Sequence, residues 1–157
     1  MRWLIRVMTL LALLAVSAVA PVQAATATAS TPSRGRPVVK LNRLTLPPVS
    51  NAERVERHLR QVLKREVRKA NWGAGRGSVI EYRFKVEELS VVSKGGVLSV
   101  TCSAAGRLPK GQAARSRLVY GGKPSEHDKL VEHVLDIVAR GVITRLAEME
   151  RIRRGER

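Results

Sequence analysis

From Ile80 onward apolar and charged residues alternate one for one: Ile80, Tyr82, Phe84 and Val86 are interleaved with Glu81, Arg83, Lys85 and Glu87. Successive strand side chains point to opposite faces, so this stretch reads as a strand with one apolar and one charged face. After Glu88 the apolar parity moves to Leu89 and Val91. An uncorrected one-residue slip would turn the strand inside out, so a bulge is expected near Glu87–Glu88. Lys94-Gly95-Gly96 supplies a turn. The next strand runs from Val97 to about Leu108, with Leu98, Val100, Cys102 and Ala104 apolar and Ser99, Thr101, Ser103 and Arg107 polar. Beyond the turn at Pro109-Lys110-Gly111, a strand from Ala113 to Tyr120 sets Ala114, Leu118 and Tyr120 against Arg115 and Arg117, and Gly121-Gly122 is expected to end it. Ser78 to Tyr120 is therefore an antiparallel meander whose greasy face needs a covering layer.

The flanks supply that layer. Val38 to Leu46 reads as a strand with imperfect alternation, Val39 and Leu41 having one parity and Leu44 and Leu46 the other, and Pro47-Pro48 stops it. Ser50-Asn51-Ala52-Glu53 has the capping-box spacing. Val55, Leu59, Val62, Leu63, Val67 and Ala70 follow at helical intervals. Trp72 is expected to pack at the end of this helix, and Gly73-Ala74-Gly75-Arg76-Gly77 reads as a flexible connector. It is no phosphate loop, because such a loop follows a strand and opens a helix, and this one does the reverse. Ser125-Glu126-His127-Asp128 is a second capping pattern, opening a helix to about Met149 with an apolar stripe through Leu130, Val134, Leu135, Val138, Val142 and Leu146. Gly141 lies inside that helix, where it suits close approach to the sheet or to the other helix.

The order is β-α-β-β-β-α. Two amphipathic helices and one half-apolar sheet are satisfied together by an α+β two-layer sandwich: a mostly antiparallel four-stranded sheet with both helices on one face. The opposite sheet face is left open. Arg83, Lys85, Arg115 and Arg117 share it with Ser99 and Thr101 as a candidate contact for an anionic partner. A second basic face, on the first helix, contains Lys64, Arg65 and Arg68 and is a further candidate contact, although a solvated surface is the more common explanation of such a face.

Charge and the amino terminus give these faces a setting. Residues 1–24 have Arg2 and Arg6, an apolar run from Val7 to Ala20, and Val22-Gln23-Ala24, the pattern of a cleavable secretory signal. An uncleaved membrane tether is the alternative. The Ala/Thr/Ser/Pro-rich residues 25–37 read as a flexible linker, residues 38–150 as one domain, and residues 151–157 as a basic tail that frays. The net charge of +16 favours anionic partners: lipid head groups, lipopolysaccharide, acidic polymers or nucleic acid. Arginine-rich composition without a functional role explains the same number.

Candidate chemistry is sparse. Cys102 is the single cysteine, so no intrachain disulfide forms, and its place on an apolar strand face reads as core rather than as a reactive thiol. His58, His127 and His133 do not have the spacing of a zinc site, and no G-x-S-x-G elbow occurs. No catalytic, cofactor or metal residue is assigned. The strand order, with Ala113–Tyr120 and Glu126–Leu146 closing the domain, resembles small bacterial envelope α/β domains over roughly Val38 to Met149. These are the lipopolysaccharide-assembly lipoprotein family and, more loosely, the amino-terminal domain of TolB. The resemblance implies an envelope protein that binds or assembles rather than catalyses, and it carries no functional residue to this chain. No cysteine stands near Ala24, a departure from the lipoprotein pattern. Three readings follow: an exported non-enzymatic binding or assembly factor for an anionic envelope component or a partner protein, a nucleic-acid binder outside the cytoplasm, and a small hydrolase.

Overall fold

The computed structural model describes residues 35–75 and 78–156. The leader, all but the last residues of the linker, Arg76-Gly77 of the connector and Arg157 lie outside the described residues. Strand β1 (Val38–Thr45) is followed by helix α1 (Ala52–Lys69), strands β2 (Val79–Lys94), β3 (Val97–Arg107) and β4 (Ala113–Gly122), a 3-10 turn at Pro124–Glu126, and helix α2 (His127–Arg153). The sheet order is β1-β2-β3-β4. β1 runs parallel to β2 and the other two pairings are antiparallel. The expected α+β sandwich is the observed one.

The core is built from the alternating positions. Ile80, Tyr82, Phe84 and Val86 of β2 and Leu98, Val100, Cys102 and Ala104 of β3 are all buried. They meet Leu59, Val62 and Leu63 of α1 and Leu135, Val138, Val142 and Leu146 of α2 in one cluster, so both helices cover the same sheet face. The register shifts between Val86 and Glu88, where the parity change required a bulge. A second shift, between Leu41 and Arg43, explains the imperfect alternation of β1. It returns Leu44 to the core side, opposite Phe84. Gly95 and Gly96, at φ 58° and 77°, make the two-residue turn between β2 and β3 that glycine alone adopts without strain.

Helix α2 lies unusually close to the sheet. A Cβ on Gly106 of β3 would stand 2.5 Å from Val142 Cγ1 and 2.7 Å from Leu146 Cδ1, and one on Gly122 would stand 2.8 Å from Leu130 Cδ1. Gly121-Gly122 therefore does not end β4 as expected. The pair continues the ladder opposite Ser99 and Leu98, because the missing side chain admits the start of α2. Gly141 approaches the sheet, not the other helix: a Cβ there would meet Ser116 Oγ at 3.0 Å. Alanine gains about 1 kcal/mol of helix propensity over glycine, and the tight contact with Ser116 offsets part of it. Gly141→Ala is thus expected to change stability by no more than about 0.5 kcal/mol in a urea titration.

Neither capping box forms. Asn51 stands at the cap of α1 and Glu126 at the cap of α2, and neither makes a side-chain cap bond. With Asn51 at the cap, the third helical residue is Arg54, which is drawn instead to Asp128 and Glu132 of α2. The same pairing takes Asp128 away from Ser125, whose position is absorbed into the 3-10 turn. At its other end α2 continues past Met149 to Arg153 instead of fraying. Glu150 faces inward at 1 % exposure and accepts hydrogen bonds from Arg153 Nη2 (2.7 Å) and Arg154 Nε (2.8 Å). Arg154 in turn donates to Ala74 O at 3.0 Å, and Ala74 N–H donates to the Glu156 carboxylate at 3.1 Å. The described part of the glycine connector is fastened to the end of the chain.

Candidate functional site

Strand pairing decides which side chains the open face brings together. Arg43 of β1 pairs with Arg83 of β2, and Arg83 with Arg107 of β3, so one row of the sheet carries three arginines on adjacent strands. In the next row Lys85 and Arg115 flank Ala105, two strand spacings apart, about 10 Å. Arg117 lies beside Ser103 and bridges Glu88 at 3.7 Å. Ser99 and Thr101 share the face but sit further along it, beside Gly121 and Val119, away from the cations. Only three of the 13 acids stand on the sheet. Glu81 accepts from Asn42 at 2.9 Å, Glu88 holds Arg117, and Glu87 is the bulge residue. Among the described residues Arg43, Arg83, Lys85, Arg107 and Arg115 form no ion pair within 4 Å.

In the helical layer most of the acids have a basic partner. Arg54 bridges Asp128 and Glu132. His58 Nε2 lies 2.8 Å from Asp136, which also accepts from Arg65 at 2.9 Å. Arg65 donates again to Glu66 at 3.0 Å, and Glu66 faces Arg140 at 3.5 Å. Burial pushes the Glu66 carboxyl up, but the Arg65 hydrogen bond and the nearby charges of Lys69 and Arg140 outweigh it and hold it below the usual range. Hydrogen bonds from His127 and Arg54 likewise lower Asp128. This ladder welds α1 to α2, and it employs Arg65 as a structural residue. Lys64 and Arg68 remain exposed, but on the layer opposite the sheet face. The seven candidate contact residues therefore form two surfaces, with Arg83, Lys85, Arg115 and Arg117 on one and the helical three on the other.

The sequence alone does not mark Arg43 and Arg107 as members of this row. Alternation puts Arg107 on the polar side of its strand, but only the register sets it beside Arg83. Arg43 was hidden by the bulge in β1. Also unread was a cleft of about 610 Å³ where the two helix N-termini meet the outer half of β2. Val49, Val55, Leu89 and Val131 line it, and Arg54, His58 and Asp128 stand at its rim.

Cys102 is fully buried, and burial pushes its thiol up to about 12, which makes it a core residue rather than a nucleophile. Among the described residues no group of three or more His, Cys, Asp or Glu could hold a metal ion. No helix of the described residues is long and apolar enough to cross a membrane.

Fold and surface together define a small two-layer α+β domain with a cationic open sheet and a charge-paired helical layer. No protein-family profile matches the chain, and no curated protein matches it in sequence. Among solved structures it is similar to a minor lipoprotein from Acinetobacter baumannii, at 10% identity over 68% of this chain and 93% of that one, with a TM-score of 0.40. It is similar to rare lipoprotein B from Shewanella oneidensis, at 16% identity over 72% of this chain and 99% of that one, with a TM-score of 0.41. It is also similar to a PelC dodecamer from Paraburkholderia phytofirmans, at 13% identity over 72% of this chain and 95% of that one, with a TM-score of 0.42. The weak resemblance to lipoprotein domains read from the element order recurs here, and no functional residue is carried across from these structures.

Proposed function

We propose that this protein is an exported, non-enzymatic binding or assembly factor that meets an anionic component of the cell envelope, or an acidic partner protein, with the open face of its sheet. The observation that carries the reading is the division of charge between the two layers. Six of the ten acids on or beside the helices pair with helical bases, whereas the sheet gathers Arg43, Arg83, Lys85, Arg107 and Arg115 on one face without carboxylate partners. Arginines on strands are held by the ladder at fixed intervals, which suits repeated phosphate or carboxylate groups. The signal-like residues 1–24 add export, with processing after Ala24 leaving the domain in the periplasm or outside the cell.

Each cation close to an anionic lipid surface contributes about 1 kcal/mol. Replacing Arg43, Arg83 and Arg107 together by alanine should therefore weaken binding to phosphatidylglycerol vesicles roughly a hundredfold at low salt. The same variant should elute from heparin at clearly lower salt than wild type. Lys64→Ala/Arg68→Ala, on the other layer, should change both far less. Equal losses in the two variants would mean that net charge alone is at work and would remove the proposal.

A further inference from the structure

The two edges of the sheet are finished differently. On β4, Arg145 of α2 reaches over and donates Nη1 to the backbone carbonyl of Arg115 at 3.2 Å, filling an acceptor that faces away from the sheet. On β1, Val38 N–H donates into the ladder, to Ser78 O at 2.9 Å. By strand alternation Val39 and Leu41 turn their own amides and carbonyls outward. Among the described residues nothing bonds to these groups. Such an edge is a template for another strand.

Beside that edge is a groove. The glycines that draw α2 onto β3 and β4, and the ion-pair ladder that ties α1 to α2, pull the helical layer toward one side of the sheet. β1 is left half covered. Two adjoining depressions of about 340 and 330 Å³ run between β1 and α1 and share Val39, Val67 and Arg68. Their floor includes Leu41, Leu63, Trp72 and Tyr82. No acidic residue lines either one. Lys64 and Arg68 stand on the helical rim, and Lys40 and Arg43 project from β1 on the opposite face of the sheet. None of these four has a carboxylate within 4 Å among the described residues.

We infer that the β1 edge accepts an extended segment of a partner protein as a fifth strand, with alternating apolar and acidic residues. Its apolar side chains enter the groove under α1. Its acidic side chains, on the other face, meet Lys40 and Arg43. Main-chain hydrogen bonds to Val39 and Leu41 give the affinity, and the cations on both sides choose the sequence. It shares Arg43 with the sheet face proposed above, but it rests on the free edge and the groove, and amide exchange at that edge tests it separately.

The test uses a fluorescein-labelled eight-residue peptide alternating valine and glutamate, titrated by polarisation into the full-length protein. Saturable binding is expected, with none for the valine–lysine counterpart. Lys40→Glu/Arg43→Glu, both exposed, should weaken binding at least about tenfold, while Lys94→Glu/Lys129→Glu, exposed and remote from the β1 edge, should leave it within a factor of about two. Amide exchange at Val39 and Leu41 should slow in the complex while that at Val38 and Lys40 is unchanged. Absence of binding, equal binding of the lysine peptide, or binding that leaves exchange at Val39 and Leu41 unaltered would each overturn the inference.

Discussion

Gly106→Val is expected to destabilise the domain by about 3 kcal/mol, the upper end of what overpacking a filled core costs. The first added carbon alone would stand within 2.7 Å of both Val142 and Leu146, each buried and each on a helix that cannot retreat. Retreat is blocked because Gly122 fits against Leu130 one end further along, and α2 is tied to α1 by Arg54, His58 and Arg65. For a domain of this size the loss corresponds to a fall in melting midpoint of roughly 10 °C. Calorimetry of Gly106→Val beside Gly141→Ala is the check. If the two variants melt together, the close seating of α2 on β3 is wrong.

The second large effect concerns Glu150. Replacing both Arg153 and Arg154 by alanine leaves a carboxylate at 1 % exposure without its hydrogen-bond donors. Stranding a buried charge costs about 3–5 kcal/mol, and the lower figure applies because Arg153 is half exposed. The pH dependence should change sign as well. In the native protein the Arg153 hydrogen bond outweighs burial and holds the Glu150 carboxyl below the usual range. A lowered folded value gives stability that is complete above the ordinary glutamate value of about 4.3 and is lost as pH falls through the folded value. Without the two arginines only burial remains, the folded value rises above the unfolded one, and acidification toward pH 5 should restore part of the lost stability. Urea midpoints across that range decide it, and a double variant that weakens in parallel with wild type on acidification would refute the account.

The period-two alternation of β2 and β3 was enough to place the core, because a side chain on the wrong face of a half-covered sheet is exposed outright. The parity change at Glu87–Glu88 even located a bulge. The parity change in β1 held the same information, from Leu41 to Leu44, but a strand of eight residues broken in the middle resembles noise. Capping failed as a guide at both helices for one reason. Ser50 and Ser125 satisfy a local rule, and the long-range partnership of Arg54 with Asp128 overrode it. Glu150 was legible in principle: it falls four residues after Leu146, on the apolar stripe, where a carboxylate calls for a buried cation partner. The basic face was half legible. Face membership follows from parity, and so Arg83, Lys85, Arg115 and Arg117 were placed together. Neighbourhood across strands follows from register, which depends on two bulges and a parallel crossover, and so the row of Arg43, Arg83 and Arg107 was not visible.

Trp72 is buried at the end of α1, its ring 6.5 Å from that of Tyr82 and its indole N–H donating to Val67 O at 3.0 Å. Of the two tryptophans, Trp3 falls within residues 1–24. A chain cut after Ala24 therefore has one indole fluorophore, with a tyrosine donor at energy-transfer distance. Its emission should be blue-shifted in the native state and move to the red when the fastening of Ala74 by Arg154 and Glu156 opens, so opening at that end can be followed optically with no label added.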